Sequence, residues 1–476
     1  MKRAAPVIYD ATIVRARLTL LLVCCGVTAV GVASASGDPS AGTPRATSLR
    51  PCGDVPGLKE FRCGSLEVPF ERADPSYGDT RVAFAVRTRD RANRPPLGTI
   101  FAQEGGPGFS STSSARFYAE LFGSLLRRRD LVLVDLRGMG RSERLDCPNL
   151  QHGVGPESIT LSQCARRLGR RFVSYRTSAA ADDLDAVRQA LGLNRITLYG
   201  DSYGTFLAQS YAFRHGEALR ALVLDSAYPA IGESAWYGSL IRTGNRSLEL
   251  ACRRSPKCSG NAGRRLRLLV DYLRKTGRGV EGLLEAFGGA TYGTPGSYVR
   301  IDRAGTELRR GNPRRWRSLT RSVAPDAGNP LYYVRAGELV FGCNDYPMIW
   351  DKQASEPERR RQLERAIRRH ADNFGPFRPR EIAHSPYFGY QECLTWPPLS
   401  AVYEPPISAG DEPTTAPVLV VSGEMDNLTT PQEGRWVARL FPNATRFVAR
   451  NAGHTDALIN TGGRAAQEIR GFIRKH

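Results

Sequence analysis

One pentapeptide, Gly-Asp-Ser-Tyr-Gly at residues 200–204, constrains this chain more than any other stretch. It has the form G-x-S-x-G, follows an apolar run at residues 196–199 and precedes a helix-compatible stretch at residues 205–211. A serine in so tight a strand-to-helix turn must adopt a strained backbone, and it needs glycines where side chains would collide. The turn places its hydroxyl at a helix N-terminus, which favours developing negative charge. The motif predicts that Ser202 is a nucleophile; the alternative is a glycine-rich turn without chemistry.

The 476 residues are too many for one minimal domain, but they suit one α/β domain with a large insertion. Apolar runs alternate with helical patterns, which predicts an α/β fold with a mostly parallel sheet and flanking helices. The predicted strands are 82–86, 98–102, 131–135, 196–199, 221–225, 418–422 and 445–448. The predicted helices are 182–191 (capped by Thr177 or Ser178), 264–275, 357–372, 431–440 and 463–475, and residues 137–175 are predicted to form a long loop.

The alternation of strands and helices stops after Pro229 and resumes near Pro405. We therefore expect a core whose first part is residues 51–229 and whose C-terminal part is residues 406–476. Residues 230–405 are expected to form a largely helical lid over the carboxyl ends of the strands, where ligands bind in sheets of this type.

The N-terminal segment is predicted to be an export signal. Arg15 and Arg17 precede an apolar run at residues 18–32, and Ala-Ser-Ala at residues 33–35 supplies a cleavage site. We expect residues 1–35 to be removed and residues 36–50 to form a linker, which gives a secreted or cell-wall-associated protein. The alternative is an uncleaved N-terminal anchor.

The cysteines predict disulfides rather than a metal site. Two of the ten lie in the predicted signal, which leaves eight, and export favours their oxidation. The chain has no C-x-x-C pair and few histidines, so we expect no zinc. Proximity predicts three pairs and elimination the fourth: Cys52–Cys63, Cys147–Cys164, Cys252–Cys258 and Cys343–Cys393.

The formal net charge of +20 does not by itself indicate a nucleic-acid-binding protein. Arginine runs such as residues 127–129 and 359–361 are typical of solvated faces, and no nucleic-acid motif or aromatic-interleaved basic patch accompanies them. For an exported protein, the charge predicts at most loose association with anionic cell surfaces.

A serine nucleophile needs a base, and the base needs an acid that holds its tautomer. Of six histidines, only His454 lies in a glycine-containing loop directly after a predicted strand, so we expect it to be the base. The acid should follow the preceding strand, where both Glu424 and Asp426 occur. Asp426 reaches further along the loop and is favoured; either carboxylate could instead stabilise the turn.

Two backbone N–H groups are expected to stabilise the oxyanion that forms when the serine attacks. One belongs to Tyr203, the residue after the nucleophile. The other is expected from Gly106, in the glycine-rich segment at residues 104–108 that follows an early strand. Its three glycines allow the backbone to approach a substrate closely.

Five motifs, at residues 105–108, 135–142, 200–204, 423–426 and 453–454, occur in the order seen in proline iminopeptidase. The chain resembles the secreted tripeptidyl aminopeptidases more closely, in its export signal, cysteines and C-terminal segment. The resemblance implies an α/β-hydrolase fold and a serine exopeptidase that removes short units from peptide N-termini without a cofactor. It also implies Ser202 as nucleophile, Asp426 as acid and His454 as base.

A free substrate amine requires carboxylates, and the candidates are Glu104, Glu338 and Asp345, the last placed beside Cys343. Each of the three could equally be a solvated or paired acid. Two other functions remain open. The same catalytic groups hydrolyse esters in a secreted carboxylesterase or lipase. A degenerate hydrolase could instead serve as an inactive, wall-associated binding protein.

Overall fold

The computed structural model describes residues 48–53, 57–258, 260–321, 327–370, 374–385 and 390–476. The predicted export signal and nearly all of the predicted linker lie outside these residues. The strands are β1 (Arg50–Pro51), β2 (Arg62–Pro69), β3 (Asp79–Arg87), β4 (Thr99–Gln103), β5 (Asp130–Val134), β6 (Ile196–Asp201), β7 (Leu219–Asp225), β8 (Val418–Gly423) and β9 (Ala444–Ala449).

Helices occupy most of the remaining described chain. They are α1 (Ala115–Phe122), α2 (Pro148–Gln151), α3 (Glu157–Leu168), α4 (Thr177–Ala190), α5 (Tyr203–Arg214), α6 (Gly238–Arg253), α7 (Ala262–Lys275), α8 (Glu281–Ala290), α9 (Gly296–Arg309), α10 (Arg314–Leu319), α11 (Arg335–Asp345), α12 (Glu356–Arg369), α13 (Pro379–Ala383), α14 (Pro431–Ala438), α15 (Asp456–Ile459) and α16 (Arg464–Lys475).

The nine strands of the described chain form one sheet in the order β1-β2-β3-β5-β4-β6-β7-β8-β9. The pairs from β5 through β4 to β9 are parallel, while β1, β2 and β3 join by antiparallel pairing. Because carboxyl ends of parallel strands meet at one edge, the loops after β4, β6, β8 and β9 lie together there.

Alternating side chains of the central strands bury both faces of the sheet, as expected for strands covered by helices on each side. On β4, Ile100 and Ala102 join a core cluster with α1 and α16, whereas Phe101 joins the cluster with α4 and α5. On β5, Leu131 and Val132 face opposite clusters in the same way.

Between β7 and β8, the described residues contain eight α-helices, α6 to α13, and no strand. This pattern matches the largely helical character predicted for residues 230–405, although the division into core and lid stays a prediction. In the part of the chain with described coordinates, no helix combines the length and apolar character needed to cross a bilayer.

Two local predictions were wrong. Residues 137–175 are not one long loop: they include α2, α3 and a 3-10 helix at Gly169–Ser174. The apolar side chains of these helices are buried against the sheet and against helices between β7 and β8. Because these helices are stabilised by distant contacts, the local sequence pattern did not predict them. Thr177 and Ser178 do not cap the next helix, because α4 already begins at Thr177.

A fully buried ion pair joins the segment after β5 to α4. The guanidinium of Arg137 donates from Nε and Nη2 to the two carboxylate oxygens of Asp183, each at 2.7 Å. Nη1 also donates to the carbonyls of Phe70 and Ser174, at 2.8 and 3.0 Å. The arginine of the motif at residues 135–142 therefore has a structural role, because it holds the segment after β5 against α4.

We expect Arg137→Ala to lower the free energy of unfolding by about 3–5 kcal/mol, because two buried carbonyls lose their donor and the buried carboxylate of Asp183 keeps only the partly exposed Arg72, at 2.9 Å. Denaturant unfolding monitored by circular dichroism measures this change. Arg116→Ala, which removes the exposed pair with Glu120, is the control and should leave the free energy nearly unchanged. Equal effects of the two substitutions would contradict the structural role of Arg137.

Candidate active site

Ser202 lies in the turn between β6 and α5 with φ 52° and ψ −124°, the strained conformation expected at this position. The two glycines of the motif leave no room for side chains. A Cβ on Gly200 would lie 2.2 Å from the carbonyl oxygen of Gly204, and one on Gly204 would lie 2.3 Å from that of Gln103. Close packing of β4, β6 and α5 therefore requires both glycines and exposes the serine hydroxyl at the helix start.

The imidazole of His454 faces this hydroxyl, with its Nε2 at 2.9 Å from Ser202 Oγ. His454 follows β9 and is almost fully buried. Its backbone N–H is within hydrogen-bond distance of Thr291, at 3.1 Å from Oγ1 and 3.3 Å from the carbonyl. A Cβ on Gly453 would lie 1.7 Å from that carbonyl, so glycine permits the close contact with the insertion.

Asp426, in the loop after β8, contacts the other ring nitrogen of His454: Oδ2 lies 3.0 Å from Nδ1. Its Oδ1 accepts from the backbone N–H groups of Leu428 and Thr429, at 2.9 and 3.1 Å. Burial alone would raise the pKa of Asp426, but the charge and hydrogen bond of His454, together with these N–H donors, lower it below its ordinary value. Asp426 is therefore ionised at neutral pH.

Glu424, the other predicted acid, lies elsewhere. Its carboxylate pairs with Arg254, at 2.6 and 3.0 Å, and accepts from the backbone N–H of Asn451. The hydrogen bond from Arg254 is the main cause that lowers the pKa of Glu424 to about 2. Glu424 therefore links the loop after β8 to Arg254, at the end of α6, and to the loop after β9, and it does not contact His454.

Two threonines that the sequence did not single out complete the surroundings of the acid. Thr429 Oγ1 donates to Asp426 Oδ2 at 2.8 Å and lies 3.1 Å from His454 Nδ1. Thr291 Oγ1, from the insertion, lies 3.3 Å from Asp426 Oδ1. A hydroxyl three residues after the acid is a local signal that could have identified Thr429. No local signal identifies Thr291, which lies 135 positions before Asp426.

The glycine-rich loop after β4 packs directly on the elbow. A Cβ on Gly105 would lie 2.6 Å from Ser202 Cβ and 3.1 Å from its Oγ. Gly106 follows with φ +112°, a conformation that favours glycine. Tyr203 is the first residue of α5, where backbone N–H groups have no partner within the helix. The predicted oxyanion donors thus belong to two segments that flank the serine.

Two carboxyl groups, Glu104 and Asp201, precede these two segments and share the hydroxyl of Tyr118 as a partner. The hydroxyl of Tyr118 lies 2.8 Å from Asp201 Oδ1 and 3.2 Å from Glu104 Oε2. Burial and the charge of Glu104 raise the pKa of Asp201 well above its ordinary value. This shift favours the protonated form of Asp201 and so reduces the negative charge close to Ser202.

A cavity of about 810 Å³ opens onto Ser202 and His454. Its walls are rich in aromatic side chains from the core and the insertion: Phe109, Phe117, Tyr203, Tyr228, Tyr237, Tyr292, Tyr333, Tyr346 and Tyr390. The charged side chains in the lining are mainly acidic: Glu104, Asp201, Glu338 and Glu392 against Arg335. Such a cavity suits a ligand with apolar groups and a cationic end.

The acidic group from the insertion includes Glu338 on α11 and Glu392, which precedes Cys393. Arg335 contacts both Glu338 and Glu157. Burial, then the charges of Glu157 and Glu392, raise the pKa of Glu338. Burial also raises the pKa of Glu392 to about 6, and among the described residues Glu392 has no ion-pair partner. Glu392 was not predicted from the sequence, although its position directly before Cys393 of a predicted disulfide could have placed it near Glu338.

Asp345, the third carboxylate predicted to bind a substrate amine, does not line the cavity. Its carboxylate accepts instead from the backbone N–H and hydroxyl of Thr177, at 2.7 and 2.5 Å, and from Tyr403 at 3.1 Å. Asp345 is the last residue of α11, about two turns beyond Glu338 along the helix, and there it meets Thr177, the first residue of α4. Of the three amine candidates, the structure brings Glu104 and Glu338 to the cavity.

Four disulfides join the cysteines in the predicted pairs, Cys52–Cys63, Cys147–Cys164, Cys252–Cys258 and Cys343–Cys393. The last ties α11 to the 3-10 helix at Gln391–Thr395 and so holds Glu338 and Glu392 in one region.

In the described residues, the one cluster with metal-ligand spacing is Cys252, Cys258 and Asp302, and its two sulfurs are already bonded to each other. Those residues therefore offer no thiolate to a metal.

Family comparisons agree with this topology. Residues 99–242 match the family model described as "alpha/beta hydrolase fold". The chain has the α/β-hydrolase fold. The predicted fold class is thus confirmed, and the match includes the elbow serine. Residues 381–475, which contain Asp426 and His454, match the family model described as "TAP-like protein".

Curated relatives include peptidases and an esterase. The chain is 29% identical to the serine protease Hip1 of Mycobacterium tuberculosis over 44% of this chain and 45% of that protein. It is 29% identical to a tripeptidyl aminopeptidase of Streptomyces lividans over 38% of this chain and 37% of that protein. These matches span less than half the length of either relative. A carboxylesterase B of Mycobacterium tuberculosis is also 29% identical, over 86% of this chain and 85% of that protein.

Solved structures resemble the chain only distantly. A proline iminopeptidase of Mycobacterium smegmatis has 17% identity and a TM-score of 0.42, covering 87% of this chain and 98% of that one. An esterase of Thermogutta terrifontis has 18% identity and a TM-score of 0.37, covering 86% and 98%. Scores this low do not support an inference about function. The comparisons together show a hydrolase related to serine peptidases and to esterases.

Asp225, at the end of β7, makes the stability of the site region dependent on pH. Burial raises its pKa to about 7, although Tyr199 donates to its carboxylate at 2.9 Å. Because the pKa is higher in the folded than in the unfolded state, the stabilisation is fully present below the unfolded pKa of about 3.9. It is lost as the pH rises through about 7.

We therefore expect Asp225→Asn to gain stability relative to the parent protein as the pH rises from about 4 to about 8, by a few kcal/mol at about 1.4 kcal/mol per pKa unit. Denaturant unfolding of both proteins across this range measures the difference. Asp271→Asn, on an exposed side chain of α7, is the matched control and should show no such trend. A difference between Asp225→Asn and parent that does not change with pH would contradict the assignment.

Proposed function

We propose that this chain is a secreted serine exopeptidase that hydrolyses short units from peptide N-termini through an acyl-enzyme. The observation that supports the chemistry best is the continuous chain of contacts from Ser202 Oγ through both nitrogens of His454 to Asp426, at 2.9 and 3.0 Å. A hydroxyl, an imidazole and an ionised carboxylate in this order form the arrangement that activates a serine.

In the proposed reaction, His454 Nε2 accepts the proton of Ser202 as its Oγ attacks the scissile carbonyl. Asp426 holds the Nδ1–H tautomer and stabilises the imidazolium that forms. His454 then donates the proton to the leaving nitrogen, and water hydrolyses the acyl-enzyme by the same route in reverse. Thr429 and the two backbone donors to Asp426 fix the carboxylate in place, so that it orients the ring.

The tetrahedral oxyanion is proposed to accept hydrogen bonds from the N–H groups of Tyr203 and Gly106. The position of Tyr203 at the start of α5 adds the favourable end of the helix dipole. The close approach of Gly105 to Ser202 supports a loop that reaches the reacting carbonyl. This chemistry needs no metal or cofactor, and none is proposed.

The free ammonium of the peptide is proposed to bind the acidic end of the cavity. Glu338 and Glu392 supply two carboxylates there, with one competing guanidinium from Arg335. Binding of a cation would favour the ionised form of both acids, whose pKa values are raised in the empty cavity. Glu104 remains a third candidate, closer to the elbow. The names of two relatives, a tripeptidyl aminopeptidase and a serine protease, support a peptide substrate.

The second candidate function is a secreted carboxylesterase, favoured by the relative named carboxylesterase B, whose match covers most of the chain. The third is an inactive wall-associated binding protein.

Four disulfides support an exported protein, and the excess of positive charge supports loose association with anionic cell surfaces. No nucleic-acid partner is proposed.

We expect the enzyme to hydrolyse a tripeptide p-nitroanilide with a free N-terminus and to hydrolyse its N-acetylated form poorly. Glu338→Gln combined with Glu392→Gln should raise KM for the free peptide by about 10-fold or more, because charged hydrogen bonds to the ammonium are lost. Hydrolysis of a small acyl ester without an amine should change little. Steady-state kinetics of the two substrates measures both effects.

Glu120→Gln, on the exposed face of α1, is the matched control for the loss of carboxylate charge and should behave as the parent protein. Equal hydrolysis of free and acetylated peptides, with no effect of the double substitution, would refute the amine site. Activity on esters alone would favour the carboxylesterase, and absence of turnover on every substrate would favour the binding protein.

A further inference from the structure

Three large apolar side chains are exposed together at the mouth of the catalytic cavity. Phe117, Tyr292 and Ile459 are 53, 56 and 61% exposed, and all three line the cavity. A fourth exposed apolar side chain of the lining, that of Phe109 in the loop after β4, packs instead on Tyr333. The first three come from separate parts of the chain: α1, the 3-10 helix Thr291–Gly293 of the insertion, and the end of α15. Single exposed apolar residues are ordinary on a protein surface, but a group that converges on a cavity marks a binding site. We name this group the apolar rim.

The apolar rim lies on the side of His454. The ring of Tyr292 packs edge-on against the His454 imidazole, with ring centroids 5.5 Å apart. Helix α15 begins at Asp456, two residues after His454, and ends with Ile459. Helix α1, which bears Phe117, packs against α15. Tyr292 and Ile459 therefore lie on elements that contact or immediately follow the base, and Phe117 lies on a helix that packs against α15.

The position beside the base determines which part of a substrate reaches the rim. The imidazole that takes the proton from the serine must return it to the leaving atom, so the leaving group has to lie next to His454. The carboxylates proposed to bind the amine of the acyl part come from other elements, α11 and the 3-10 helix at Gln391–Thr395.

The chemistry of the rim selects an apolar leaving group. The cavity lining contributed by α1, α15 and residues 291–293 consists of Phe117, Leu458, Ile459 and Tyr292, without a charged side chain. All the charged side chains of the lining come from other segments. An apolar side chain of the substrate that covers these residues removes its own surface and theirs from water.

We infer that the apolar rim is the subsite for the residue directly after the scissile bond and that it makes the enzyme selective for a large apolar side chain at that position. This inference rests on the proposed acyl-enzyme chemistry of Ser202 and His454. It does not require the acyl part to be a peptide, because an alcohol leaving group of an ester would occupy the same place.

The test compares peptides that share their first three residues and differ only in the fourth, which is Gly, Ala, Leu or Phe. We expect kcat/KM to be about 10-fold or more higher for Leu and Phe than for Gly, the range that extra methylenes give in an apolar pocket. Ile459→Ser and Phe117→Ser should each reduce this ratio several-fold. Turnover of an ester with a small alcohol, which is too short to reach the rim, reports whether the chemistry of Ser202 survives each substitution.

Ile159→Ser is the matched control, because Ile159 is 53% exposed on α3 and does not line the cavity. It should leave the ratio unchanged. Equal kcat/KM for all four peptides would overturn the inference. Rim variants that keep the same ratio as this control would also overturn it. Tyr292 is left intact in the test because it contacts His454 and its loss would disturb the base.

A parallel series of esters with one acyl group and alcohols of increasing chain length separates this inference from the proposed peptidase function. If peptides are not cut but longer alcohols are preferred, and Ile459→Ser removes the preference, the rim is confirmed and the peptide substrate is refuted. If peptides are cut from the free N-terminus without preference for the fourth residue, the peptidase stands and the rim is refuted.

Discussion

The hydrogen bond between His454 Nε2 and Ser202 Oγ, 2.9 Å long, is the contact on which the proposed chemistry depends. It joins residues 252 positions apart, and local sequence forces do not bring them together. The parallel sheet does, because β6, β8 and β9 end at one edge and their following loops meet there. The packing of the sheet thus fixes the distance between nucleophile, base and acid before any substrate arrives.

The helical segment between β7 and β8 contributes residues to the candidate site. Thr291 holds the backbone of His454 and contacts Asp426, and Tyr292 packs on the imidazole. The insertion also supplies Glu338 and Glu392, which a disulfide holds in one region. His454 is therefore positioned both by the loop after β9 and by the segment between β7 and β8, which also supplies the proposed amine-binding carboxylates.

Much of this arrangement followed from sequence because the elbow motif, the strand pattern and the histidine after β9 are local features. Paired cysteines close in the chain were predictable for the same reason. The helices within residues 137–175 were not, since their stability comes from packing with distant elements. Asp345 lies about two turns beyond Glu338 along α11, where it meets α4 and not the cavity. Glu392 and Thr291 act in the site through tertiary contacts, which the order of residues does not reveal.

The most direct test is the rate and position of covalent labelling by a fluorophosphonate probe, measured by mass spectrometry on protein shown to be folded by circular dichroism. The account predicts one adduct, on Ser202, with labelling slowed by about 10⁴-fold in Asp426→Asn because the imidazole takes the wrong tautomer. Glu424→Gln should label at the parent rate. Absence of an adduct on Ser202, or undiminished labelling of Asp426→Asn, would contradict the activation of this serine by His454 and Asp426.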